Sequence, residues 1–185
     1  MIKISDMYND LVASGEIFRN EAQINVLPHL NELKAALEMP VTKSLFRKAP
    51  PLPRGLYIWG GVGCGKSFLM DLFAANIDVS ARRVHFHAFM QEVQNDLHAA
   101  RAVSQMDALN LVARNLSKGL RLLALDEMQI KDIADALILG RLFILMREEG
   151  VVCVITSNRP PDDLYKNGLN RQLFLPFIAF LKEHL

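Results

Sequence analysis

Gly60–Ser67, reading GGVGCGKS, constrains this chain more than any other stretch, because its glycines separate an apolar run from a helix-forming one. Residues 55–59, GLYIW, have the composition of a buried β-strand, and residues 66–77, KSFLMDLFAANI, that of a helix. The eight residues between satisfy G-x-x-x-x-G-K-[ST]. Glycines at 60, 61, 63 and 65 let successive backbone N–H groups converge on an anion without obstruction by Cβ atoms. A helix starting near Lys66 turns the positive end of its dipole toward the same point. The expected nucleotide-binding residues are Gly60, Gly61, Val62, Gly63, Cys64, Gly65, Lys66, Ser67 and Phe68. In this pattern Lys66 reaches the β- and γ-phosphates of ATP, and Ser67 offers its hydroxyl to Mg²⁺.

Further β-like runs at 83–87, 121–126 and 151–156 alternate with helical stretches at 89–101, 106–117 and 132–150. A last, largely helical stretch covers 171–185, with Pro176 near its start or interrupting it. Strands that are apolar throughout are buried on both faces, which predicts an α/β fold: a parallel sheet sandwiched by helices. The first 50 residues differ. Residues 5–39 read as two helical pieces broken near Gly15. Asn20–Gln23 has capping-box spacing, with Asn20 accepting from an exposed N–H and Gln23 reaching back to the cap residue. Residues 48–55, KAPPLPRG, cannot be helix interior and read as a linker. The expected organisation is a helical segment and linker at 1–50, followed by a core at 51–185.

A phosphate loop needs a carboxylate to manage the metal, and LLALDE supplies one. Four apolar strand residues lead into Asp126 and Glu127, at the carboxyl end where ligands of open parallel sheets bind. Asp126 is the expected partner of Ser67 at Mg²⁺, and Glu127 the group that orients or deprotonates an attacking water. A kinase acting on a substrate hydroxyl has less need of that glutamate, so hydrolysis is the favoured chemistry. The run VVCVIT ends in Ser157, Asn158 and Arg159. If that strand lies between the first and third, Asn158 falls beside the γ-phosphate; otherwise it is a turn residue before Pro160. Arg171 opens the last helical stretch and can reach a neighbouring subunit's nucleotide, with Arg159 the competing candidate.

His85 and His87, two apart on an expected strand, would share one face. No third ligand is near in sequence, so a strand edge is the preferred reading over a zinc pair. The net charge of +1 advertises no polyanion partner. Two cysteines far apart in sequence argue against a disulfide framework and for a reducing compartment. The N-terminus lacks the apolar core of a signal peptide, and the longest apolar run is broken by Arg141, so a cytoplasmic location is expected.

The chain resembles the AAA+ ATPases, and within them the ZapE cell-division ATPases and their mitochondrial relatives, ATPase family gene one. The resemblance runs along almost the whole sequence. It is most specific in LLALDEMQIKDIADALILGRLF and TSNRPPDDLYKNGLNRQLFLPFI. It implies a P-loop AAA+ fold with Lys66 and Ser67 in Walker A, Asp126 and Glu127 in Walker B, Asn158 as sensor 1 and Arg171 as the arginine finger. It further implies a homo-oligomer that uses ATP and Mg²⁺ to remodel a protein target. In bacteria that target is linked to the tubulin-like division polymer, with peripheral association at the inner membrane. Met128 and Lys131 depart from an aromatic and a small polar residue common in relatives. The sequence ends before the fifth strand and the lid, where a sensor 2 arginine is expected. A nucleic-acid-linked AAA+ loader and a nucleotide-binding fragment with little turnover are the alternatives.

Overall fold

The computed structural model describes residues 2–39, 51–103, 107–130 and 132–185. Four strands form one parallel sheet: β1 (Leu56–Trp59), β2 (Ala81–His85), β3 (Leu122–Asp126) and β4 (Val152–Ser157), in the order β1-β4-β3-β2. The fourth strand therefore does lie between the phosphate-loop strand and the LLALD strand. This order brings the ends of β1, β3 and β4 side by side.

Residues of β3 are buried on both sides, and they alternate between two cores as strand geometry requires. Leu123 and Leu125 face a cluster built with α5 (Phe86–Val103), α6 (Ala108–Ser117), α7 (Ile133–Glu148) and α8 (Leu175–His184). Leu122 and Ala124 face the opposite cluster, formed with α1 (Ile4–Ala13), α3 (Leu27–Glu38) and α4 (Lys66–Ala75). In that second cluster Ile4, Tyr8, Leu30 and Leu37 of the N-terminal helices meet Leu69, Met70 and Phe73 of α4. The helix that follows the phosphate loop is thus packed directly against the N-terminal segment.

Several expectations shift. The described part of the N-terminal segment, residues 2–39, holds three helices, with the short α2 (Glu21–Ile24) between α1 and α3. Asn20 caps α2 by accepting from the N–H groups of Ala22 (2.9 Å) and Gln23 (3.4 Å). Gln23 does not reach back, because the Asn20 N–H is already taken by the buried Tyr8 hydroxyl at 3.0 Å. Strand β2 ends at His85, since the buried Phe86 starts α5. His85 and His87 therefore lie on different elements and share no strand face. Of the expected linker, residues 51–55 are described and form neither helix nor strand. Residues 48–50 and Lys131 lie outside the described residues. At Gly55 a Cβ would come 1.9 Å from the Cys153 carbonyl oxygen, so only glycine permits the chain to enter β1 this close to β4. Among the described residues, no helix is long and apolar enough to cross a membrane.

Candidate nucleotide site

The loop between β1 and α4 places its polar groups at the carboxyl edge of the sheet. Gly63 and Gly65 both adopt φ near +80°, a left-handed conformation that favours glycine, and Gly65 is the cap residue of α4. Lys66, the first residue of that helix, folds its ammonium back over the loop. Its Nζ donates to the carbonyls of Gly60 (3.0 Å) and Gly61 (2.7 Å), and to Asn158 Oδ1 at 3.0 Å. The tip of β4 and the phosphate loop are therefore in direct contact.

Asp126 accepts three side-chain hydrogen bonds at this edge and is only 1% exposed. Its Oδ1 accepts from Ser67 Oγ (2.9 Å) and from Thr156 Oγ1 (2.5 Å). Its Oδ2 accepts from Arg83 Nη2 at 2.6 Å. Arg83 also donates to Asp71 Oδ1 at 2.8 Å, and its Nη1 lies 3.1 Å from His85 Nε2. A buried carboxylate is costly unless paired and hydrogen-bonded, and here one cation and two hydroxyls satisfy it.

Glu127 is exposed and sits at φ +58°, an uncommon conformation for a non-glycine residue. Its N–H is fixed by Thr156 Oγ1 at 2.9 Å, the same hydroxyl that donates to Asp126. The next residue is fixed as well, with Met128 N–H donating to the Thr156 carbonyl at 2.8 Å and Ser157 Oγ donating to the Met128 carbonyl at 2.9 Å. The kink after β3 thus turns the Glu127 carboxylate away from the strand and into an open region. A cavity of about 380 Å³ lies there, lined by Glu127, Ser157, Asn158, Arg159, Leu164 and Tyr165.

Arg171 is not brought into this cluster. It begins a 3₁₀ turn (Arg171–Leu173), and its Nη2 donates to the Asp162 carbonyl at 2.5 Å. Its Nε is buried without a hydrogen-bond partner among the described residues. Arg159 is exposed, and its carbonyl accepts from the Tyr57 hydroxyl at 2.9 Å. Burial pushes that hydroxyl up to about 12 against the opposing effect of Ser157, so Tyr57 stays protonated and able to donate.

Three residues here had no role at this site in the sequence reading: Arg83, Thr156 and Gln23, the last expected only in a capping box. Arg83 is one of two adjacent arginines in β2, and only the β2–β3 pairing, which sets His85 opposite Asp126, shows that Arg83 is the one that meets this carboxylate. Thr156 lies one position past the Leu125–Ile155 pair of the β3–β4 register, which puts its hydroxyl beside Asp126. Gln23 donates from Nε2 to the carbonyl of Cys64, 41 residues away, a contact that no local pattern announces.

The donor set suits a hard cation. Ser67 and Asp126 offer a hydroxyl and a carboxylate, whereas no group of three His, Cys, Asp or Glu that could hold a metal occurs among the described residues. Few protein oxygens is the pattern expected of Mg²⁺, which keeps water and substrate phosphate oxygens as its other ligands. The glycine-rich loop can supply N–H groups to those phosphates.

A β1-β4-β3 strand order, a glycine loop leading into α4 and a buried carboxylate opposite Ser67 define a P-loop protein of the AAA+ class. The AFG1-like ATPase family matches residues 3–185, and the chain belongs to that family. It is 45% identical over 132 residues to the cell division protein ZapE of Escherichia coli K12, covering 71% of this chain and 35% of that protein. It is 45% identical over 145 residues to lactation elevated protein 1 homolog B of Danio rerio, covering 73% of this chain and 29% of that one. The chain thus spans about a third of the length of these relatives. Among solved structures it is similar to AMPPCP-bound DnaA from Aquifex aeolicus, with a TM-score of 0.60 and 18% identity over 91% of this chain and 47% of that one. It is also similar to the DnaC helicase loader, with a TM-score of 0.54 and 13% identity over 90% of this chain and 88% of that one. At these identities the likeness is one of fold.

Proposed function

We propose that this chain carries the ATP-hydrolysing site of its family. The observation that supports it most is the meeting of Lys66 with Asn158 and of Ser67 with Asp126, at 3.0 and 2.9 Å, which joins three distant segments in one place. Lys66 exchanges its loop carbonyls for the β- and γ-phosphate oxygens of ATP. Gly60, Gly61, Val62, Gly63, Cys64, Gly65 and Phe68 form the surrounding cradle and the start of the helix. Ser67 and Asp126 hold Mg²⁺, which when bound neutralises phosphate charge. Glu127 accepts a proton from water as the water oxygen bonds to the terminal phosphorus and the bond to the ADP oxygen breaks. Asn158 senses the terminal phosphate and positions that water.

Arg171 is the proposed arginine finger, acting on a neighbouring copy in a homo-oligomer, with Arg159 the alternative. Its placement away from Lys66 and Asp126 is compatible with work on another subunit's site. The similarity to a cell division protein supports a link to cell division. Within that link, the target is a protein remodelled by the ATPase cycle. We place it with the tubulin-like division polymer, at the cytoplasmic face of the inner membrane.

Nucleotide binding tests the core of this reading. Fluorescent N-methylanthraniloyl ATP should bind the whole polypeptide in the presence of Mg²⁺, and Lys66→Ala should abolish binding while leaving the fold intact by circular dichroism. Equal binding by the two proteins would refute it.

A further inference from the structure

We propose that Gln23 is a positioning residue for the phosphate-binding loop, and that the Tyr8–Gln23 pair couples the N-terminal segment to nucleotide binding. The inference rests on the loop being the ATP site. It begins with a directional chain of hydrogen bonds. The Asn20 N–H can only donate, and it donates to the Tyr8 hydroxyl at 3.0 Å. The hydroxyl proton is then free for Gln23 Oε1, also at 3.0 Å. With its oxygen occupied, Gln23 presents its NH₂ to the Cys64 carbonyl at 3.1 Å. Tyr8 is fully buried, so nothing in solvent competes for its hydroxyl.

The consequence for the loop follows from peptide geometry. In a planar trans peptide the C=O and the following N–H point in opposite directions. Holding the Cys64 carbonyl toward Gln23 therefore aims the Gly65 N–H away from the N-terminal segment. Gly65 itself leaves room for this contact: a Cβ there would come within 2.0 Å of Gln23 Nε2. The Tyr8 ring also lies 6.4 Å from that of Phe68, in the first turn of α4.

The far end of α4 is gripped by the same segment. Lys34 of α3, 4% exposed, donates from Nζ to the Asn76 carbonyl at 2.5 Å and pairs with Glu38. Glu38 in turn accepts from the Asp78 N–H at 2.7 Å. The loop and its helix are thus held at both ends by residues 8–38, and among the hydrogen bonds of these described residues it is Gln23 that reaches the phosphate-binding backbone. Because coupling is reciprocal, ATP on the loop must stabilise the Gln23-bearing segment to the same degree that Gln23 favours ATP.

The test uses Gln23→Ala, Gln23→Glu and Tyr8→Phe in the whole polypeptide, with N-methylanthraniloyl ATP binding, ATP hydrolysis and hydrogen exchange as readouts. Loss of the hydrogen bond predicts that Gln23→Ala raises the Kd and the KM for ATP about tenfold, with kcat within about twofold. Gln23→Glu, nearly the same shape, turns an acceptor toward an acceptor and should bind at least as weakly as Gln23→Ala. A packing role alone would rank Glu close to the wild type. Tyr8→Phe keeps the ring and should raise the Kd in the same direction. In nucleotide-free protein, exchange at 61–66 should quicken in Gln23→Ala and Tyr8→Phe, with α7 and α8 unchanged. In the wild type, ATP should slow exchange at 4–24. Wild-type affinity in Gln23→Glu, or loop exchange unchanged in Gln23→Ala, overturns the inference while Lys66→Ala still abolishes binding. Undiminished binding by Lys66→Ala instead overturns the ATP-site reading on which the inference rests.

Discussion

Lys66 Nζ and Asn158 Oδ1 lie 3.0 Å apart, which ties the start of α4 to the tip of β4 across 92 residues of sequence. The contact exists because β4 is inserted beside β1, and it gives the loop a way to register changes at the end of β4. Asn158→Ala should lower kcat by about 10² with a smaller effect on ATP affinity, as expected for a polar group acting on developing charge. In a double-mutant cycle with Lys66→Met, the two shifts in the melting temperature of the nucleotide-free protein should not add, because the residues touch. Additive shifts would show that they act separately.

Arg83 is the cation that balances Asp126. Removing it leaves a carboxylate that is 1% exposed without its charged partner, a change that costs about 3 kcal/mol or more. Arg83→Ala should therefore lower the melting temperature well below that of the wild type. Millimolar Mg²⁺ with ATP should recover more stability in the variant than in the wild type, since the cation would fill the same electrostatic need. Equal shifts in both proteins would contradict this.

The arginine finger is testable by complementation. On the proposed roles, a Lys66→Ala subunit would lack a working site but supply Arg171, and an Arg171→Ala subunit would keep the site but lack the finger. Mixed together, the two should hydrolyse ATP faster than either alone, and wild-type turnover per subunit should rise with concentration. Absence of recovery with Arg171→Ala but recovery with Arg159→Ala would transfer the role to Arg159.

The two cysteines should differ in reactivity. Cys64 lies in the loop, while the half-buried Cys153 lines a small cavity with Phe143, Phe180 and Leu185. Burial pushes the Cys153 thiol up to about 12 despite the lowering effect of Arg147. Only about 1 in 10⁴ of it is thiolate at pH 8. A thiol reagent at that pH should label Cys64 first and Cys153 only on unfolding, and ATP should protect Cys64. The raised value in the folded state also fixes a sign. Stability from the neutral Cys153 thiol is present below its ordinary range near 9 and is lost as pH rises through about 12, which Cys153→Ala should remove.

The glycine loop and the four strands were legible because each rests on local chemistry or on the parallel-sheet rule, whereas the place of β4 between β1 and β3 stayed conditional, since strand order is not a local property. The same local rules misplaced β2, since nothing in RRVHFH marks where a buried Phe86 turns strand into helix. They also assigned Gln23 to a capping box. A buried tyrosine from α1 outcompeted that local partner, and the freed amide crossed to the phosphate loop. Arg83 stayed hidden for a related reason: its purpose depends on β2 lying next to β3, a pairing that a single sequence does not state.

Phosphate release by the whole polypeptide, measured with Mg²⁺ and ATP, tests the account most directly when wild type and Glu127→Gln are compared. The predicted result is Mg²⁺-dependent release by the wild type. Glu127→Gln should bind ATP normally and turn over at least about 10²-fold more slowly, the contribution of a general base. Turnover by Glu127→Gln at the wild-type rate, or release by the wild type that does not need Mg²⁺, would contradict it.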